Sequence, residues 1–209
     1  MDNDRFFDPW VGASYGGGLF DRKVMVVGAS HYCGDGCRDC GDPAAHPECR
    51  GFTQQVVSDY LDDACSGDSD WKRTFSTFVN SVFGRDASAD ERESFFDSVV
   101  FANYLQRSEG RDSVEKHGEW FNDNQHLRAF LSLIDEYRPD VVVIWGSRVW
   151  NAIPWDLGDG EADRVADDIY RFHRGGRDFL MVKLHHPSQG YPFEASHTIL
   201  ESAGVVPEF

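Results

Sequence analysis

Four of the five cysteines fall in one stretch, Cys33-x3-Cys37-x2-Cys40-x8-Cys49, and His31 and His46 lie in the same stretch. Four thiolates at this spacing suit tetrahedral zinc, so Cys33, Cys37, Cys40 and Cys49 are the predicted metal ligands. An all-thiolate site is closed and therefore structural, because catalytic zinc keeps a position open for water or substrate. A His31 ligand with three cysteines would make a more open site. Bound zinc would stiffen this Gly- and Asp-rich loop and hold His31 and Tyr32 in place. Cys65 lies apart and reads as a small buried apolar residue.

A second chemical stretch is His185-His186-Pro187-Ser188, directly after an apolar run. Histidine is neutral or charged near pH 7 and donates or accepts a hydrogen bond in either state. The alternatives here are a loop histidine with a structural hydrogen bond and a serine that caps a turn. Asn103, which closes another apolar run, carries an amide that donates and accepts together. As a bland alternative it simply ends a strand.

These residues need a scaffold, and the hydrophobic pattern supplies one. Residues 23–27, 98–102, 140–145 and 179–184 are short apolar runs rich in Val, read as four strands. Helical spacing separates them. Thr53 is a candidate N-cap for a helix over 54–61, with Val56, Val57 and Leu61 on one stripe. Over 71–83 the stripe is Trp71, Phe75, Phe78, Val82 and Phe83, which is core-like. Ser88 caps a short helical turn, 106–120 reads as a loop or partly helical insertion, and a helix over 125–137 ends at Pro139. Ser147 caps a short helix that stops before Pro154. The acidic segment 158–168 leads into 169–172, and a last helix covers 194–203. Alternating strands and helices specify right-handed crossovers, hence a three-layer α/β/α domain with a central four-stranded parallel sheet. Ligands in such sheets bind beyond the carboxyl ends of the strands. Residues 1–20 are expected as an irregular N-terminal arm on a single domain over 21–209, with Phe6, Phe7 and Trp10 packed against it.

Composition narrows the class. The chain has 209 residues, a net charge of −16 and 41% hydrophobic residues. That length supports one sizeable core. Lysine occurs only at 23, 72, 116 and 183. Such acidity argues against nucleic-acid binding unless a local basic patch exists, because phosphate contacts need cations. Arg171, His173, Arg174 and Arg177 are the candidate patch. No apolar run is long enough to cross a membrane. The acidic start, MDNDRFFDPW, does not read as a secretory signal, so a cytoplasmic protein is expected. There is no GxGxxG, GxxxxGK[ST] or GxSxG sequence, so no dinucleotide, P-loop or nucleophile-elbow site is predicted.

Taken in order, GASHY after the first strand, VFANYL at the second, VVVIWGS at the third and KLHHPS after the fourth resemble the uracil-DNA glycosylase superfamily. The resemblance spans about residues 23–203, and HPS is its most specific piece. It implies an enzyme that flips a base out of DNA and cleaves the N-glycosidic bond to uracil or another modified base. Carried over, Asn103 reads the base edge and His186 stabilises charge on the departing base. Ser188 contacts phosphate, and Tyr191 (or Phe193) is an apolar wedge in the vacated stack. Tyr32 lies against the C5 side of the base, and Phe75 or Phe78 stacks on it. Many members carry Asp or Asn in the turn after strand one. Here Ser30 takes that approximate place and His31 follows, so Ser30 and His31 are the candidates for placing or activating water; Asp35, Asp39 or Asp42 could supply a carboxylate from the loop. Some members hold a [4Fe–4S] cluster, but through cysteines spread along the chain, so zinc is the favoured ion here. The alternative to an enzyme is a non-catalytic base-, nucleotide- or protein-binding module on the same fold.

Overall fold

A computed structural model describes residues 5–32, 46–62, 70–109, 118–188 and 190–207. In chain order its elements are β1 (Trp10–Val11), β2 (Val24–Gly28), β3 (His31–Tyr32), α1 (Phe52–Asp62), α2 (Asp70–Phe83) and α3 (Ala89–Ser98). There follow β4 (Val99–Asn103), β5 (Ser108–Glu109), α4 (Asn124–Tyr137), β6 (Val141–Trp145) and α5 (Ser147–Ala152). The chain finishes with β7 (Asp163–Ala166), β8 (Ile169–Arg174), β9 (Arg177–Leu184) and α6 (Phe193–Ser202).

The four strands expected from the apolar runs are neighbours in the order β4-β2-β6-β9, all parallel. Every residue of β2, β4 and β6 is buried, as continuous Val/Ile/Met/Phe strands covered on both faces must be. Alternate residues feed two cores. Val24, Val26, Val99, Phe101, Val141 and Val143 meet α1, α2, α3 and α6. Met25, Val27, Val100, Val142 and Ile144 meet α4 and α5. The α2 aromatic stripe is core, with Phe78 fully buried and Phe75 nearly so.

The expected four-stranded parallel sheet needs correction: the sheet is mixed and has seven strands, β1-β4-β2-β6-β9-β8-β7. The added strands pair antiparallel at both edges. The physical cause on one side is local. Gly175 and Gly176 join β8 to β9 with φ of 61° and 68°, the two positive φ values of a tight primed turn whose twist matches a hairpin. On the other side Trp10–Val11, in the expected arm, pairs with Phe101 and Val100. The Trp10 indole N–H donates to the Phe96 carbonyl at 2.8 Å. Gln106 Oε1 accepts the backbone N–H groups of Phe6 and Phe7.

Three helix starts also differ, and at α5 the N-cap is Gly146, with the expected cap Ser147 as the first helical residue. Thr53 lies inside α1, continuous with the 3-10 turn Pro47–Gly51. The turn expected at Ser88 is a ten-residue helix opened by a capping box between Ser88 and Glu91, which satisfies two otherwise orphaned N–H groups.

Candidate functional site

Successive connections leave β2 in opposite directions: the chain first reaches β4 on one side and later β6 on the other. A crevice must form above such a reversal, at the carboxyl ends of the strands. A cleft of about 530 Å³ occupies that place. Ala29 and Tyr32 line it from the end of β2, and Trp145, Gly146, Ser147 and Arg148 from the end of β6. Lys183, Leu184, His185, His186 and Ser188 come from the end of β9, and Asp168 from the β7–β8 turn.

The structure brings His186, Ser188 and Tyr32 together in this cleft. His186 Nδ1 is 2.9 Å from Ser188 Oγ, and its ring stands edge-on to Trp145, with centroids 6.4 Å apart. Burial lowers the His186 pKa, and the Arg148 cation lowers it further. The imidazole is therefore neutral at pH 7, able to donate from one nitrogen while the other meets Ser188. Tyr32 is 51% exposed and lines the cleft.

Asn103, His31 and Ser30 form a different group. His31 is 3% exposed and packs between Phe7 and Phe52, with ring centroids at 4.6 and 4.9 Å. Its Nε2 meets Thr53 Oγ1 at 2.8 Å. Burial drives its pKa down to about 3, which leaves a weak base enclosed by apolar rings. Asn103 turns its amide to this ring, with Nδ2 3.2 Å from His31 Nδ1. Asn103 is buried, and neither it nor His31 is among the described lining of the cleft. The Ser30 hydroxyl is buried and has no hydrogen-bond partner among the described residues. A carboxylate at the turn after β2 is absent among the described residues; Asp35, Asp39 and Asp42 lie outside them.

Phe75 stands one ring back from the cleft, 5.6 Å from Trp145 and 5.2 Å from Phe101. The Tyr191 hydroxyl is tied to Ser81 Oγ at 3.0 Å, which anchors that ring to α2. Cys33, Cys37 and Cys40 lie outside the described residues, as do Cys65 and Gln189. Cys49 sits on the 3-10 turn Pro47–Gly51. His46, just before it, contacts Glu48 at 3.2 Å. Among the described residues no group of three His, Cys, Asp or Glu side chains is placed to hold a metal.

The expected basic patch before the last strand is largely compensated. Arg174 makes a two-pronged pair with Asp135 at 2.7 and 2.6 Å, and Arg177 faces Asp140 at 3.5 Å. His173 bridges Asp178 and Asp163. Arg148 and Lys183, which sequence reasoning did not single out, are instead the cations of the cleft, without ion-pair partners among the described residues. Their signal was positional: each flanks the end of a buried parallel strand. The described lining of the cleft thus carries two cations against one carboxylate, Asp168, on a chain of net charge −16. Among the described residues no helix is long and apolar enough to cross a membrane.

No family model matches this chain, and no curated protein matches it in sequence.

Proposed function

We propose that the chain is a DNA glycosylase-like hydrolase that takes a flipped uracil or other modified base into this cleft and cleaves its N-glycosidic bond. One observation carries the reading: neutral His186, paired with Ser188, on the wall of a cleft that holds Arg148 and Lys183 at the ends of the parallel strands β2, β6 and β9. With the Ser188 O–H donating to Nδ1, the ring proton sits on Nε2. As the bond from C1′ to the base breaks, its electron pair moves onto the base and charge builds on a carbonyl oxygen. A preorganised N–H aimed at that oxygen stabilises the transition state. The sugar becomes an oxocarbenium cation, water adds to C1′ and loses a proton, and the departed base takes one up. A cation so electrophilic is captured by water without a strong base, so the buried, weakly basic His31 is no obstacle. Arg148 offers charge to phosphate at the rim. Structural zinc on Cys33, Cys37, Cys40 and Cys49 belongs to this reading as a loop staple, and no step runs through it.

The test is release of free base from a single-stranded uracil oligonucleotide, followed by a panel of modified bases. His186→Ala is expected to slow release by about 100- to 1000-fold, the usual cost of one such donor. Equal release by wild type and His186→Ala would remove the site assignment. A second reading, a non-catalytic base- or nucleotide-binding module, is favoured by Asn103 and His31 being turned to each other and away from the cleft. Binding of uracil oligonucleotide with no base released from any substrate would establish it.

A further inference from the structure

The chain holds four lysines, and their positions differ sharply. Lys23, just before β2, lies over the Tyr15 ring at the opposite end of the sheet from the cleft. Lys72 is buried on α2 beside Trp71, and Lys116 lies outside the described residues. Lys183, the second-last residue of β9, lines the cleft three positions before His186. Its backbone N–H donates to the Asp168 carbonyl at 2.8 Å, so an amine and a carboxylate leave adjacent points of one wall. The side chain of Lys183 is half-buried and has no ion-pair partner among the described residues.

Base excision, the reading on which this inference rests, leaves deoxyribose with a free C1′. That sugar opens to an aldehyde, and a lysine amine adds to aldehydes to form a Schiff base. We propose that the same cleft also cuts the DNA backbone at the abasic site, with Lys183 Nζ as the nucleophile. The ammonium gives one proton to water and its nitrogen attacks C1′; the carbinolamine hydroxyl takes a proton back and leaves as water, which gives a protonated imine. The imine acidifies C2′, and the Asp168 carboxylate takes a C2′ proton. That electron pair forms the C2′=C3′ bond as the C3′–O bond breaks and the phosphate leaves with its electrons. Water then hydrolyses the imine, freeing Lys183 and an unsaturated aldehyde. The sequence is an elimination and needs no oxidant or reductant.

The experiment supplies an oligonucleotide with a preformed abasic site, so base excision is bypassed, and adds borohydride to reduce any imine to a stable amine. Wild type is expected to give a covalent protein–DNA adduct mapping to Lys183 by peptide mass spectrometry. Lys183→Arg and Lys183→Gln, shown by melting to be folded, should lower adduct yield at least about tenfold. Lys23→Arg should leave it unchanged. Adduct without release of any base from the panel would uphold the lyase and sink the glycosylase reading. Uracil release without adduct, or an adduct that survives both Lys183 substitutions, would overturn the proposal.

Discussion

Gly28→Ala tests whether Asn103 serves the protein's interior. A Cβ at Gly28 would lie 2.3 Å from Asn103 Oδ1 and 3.4 Å from Phe101 Cζ. The two residues face each other in the parallel register, so the Asn103 side chain must swing away. That breaks its contact with His31, worth about 1 kcal/mol net, and strands a buried amide at about 1–3 kcal/mol more. Replacing strand glycine by alanine returns about 0.5–1 kcal/mol. The expected loss is about 1–3.5 kcal/mol with a centre near 2, or roughly 4–8 °C in Tm at that centre for a chain of this size. Urea denaturation of both single mutants and the double mutant with Asn103→Ala measures it. Without the Asn103 amide the alanine has little to collide with, so coupling should approach about 2 kcal/mol. A Gly28→Ala cost below about 0.5 kcal/mol, or equal costs in both backgrounds, would refute the reasoning.

Other outcomes follow from the same geometry. His31 and His126 are pushed by burial to about 3 and about 4, so both stay neutral in the folded state while the unfolded chain takes up protons. Stability therefore falls as pH drops below about 6.5, by up to about 1.4 kcal/mol per pH unit for each histidine; NMR showing either ring protonating near pH 6 contradicts this. His173 is the opposite case, raised first by its hydrogen bond to Asp178. Its contribution is full below the unfolded pKa and is lost as pH rises through the folded one, so wild type and His173→Gln should converge in stability on the alkaline side of that transition. At the β8–β9 turn, Gly175→Asn should be tolerated, whereas Gly175→Val should cost about 1–2 kcal/mol by thermal melting; equal effects would argue against a primed turn. Purified reduced protein should carry about one zinc per chain by elemental analysis, and the absence of both zinc and iron would remove the cysteine-loop reading.

The sheet's centre was legible because a fully buried strand must be apolar at every position, and few other segments are. Its edges were not. β7 is exposed along its whole length, so no burial pattern marks it, and β1 is two residues long. The Gly175-Gly176 pair between Arg174 and Arg177 was the available signal for the hairpin. His186, Ser188 and Tyr32 could be placed at the cleft because the carboxyl ends of parallel strands are where such sheets bind ligands. His31 follows β2 and Asn103 closes β4, yet both turn inward. What decides their direction is Thr53 on α1 and Phe7 in the arm, partners distant in sequence. Arg148 and Lys183 stand out only once Arg174, Arg177 and His173 are seen to be matched by carboxylates.

The edge strands also bear on the order in which the sheet can assemble. β8 and β9 close through a two-residue turn, so their pairing costs little loop entropy and forms on the timescale of an isolated hairpin. β1 must await β4, since Trp10 pairs with Phe101 across three intervening helices. β2 likewise gains its neighbours only through long crossovers. Such non-local pairing makes the parallel centre slow to form. The last hairpin in the sequence is then the cheapest nucleus in the fold, and the first strand is among the last pieces to dock.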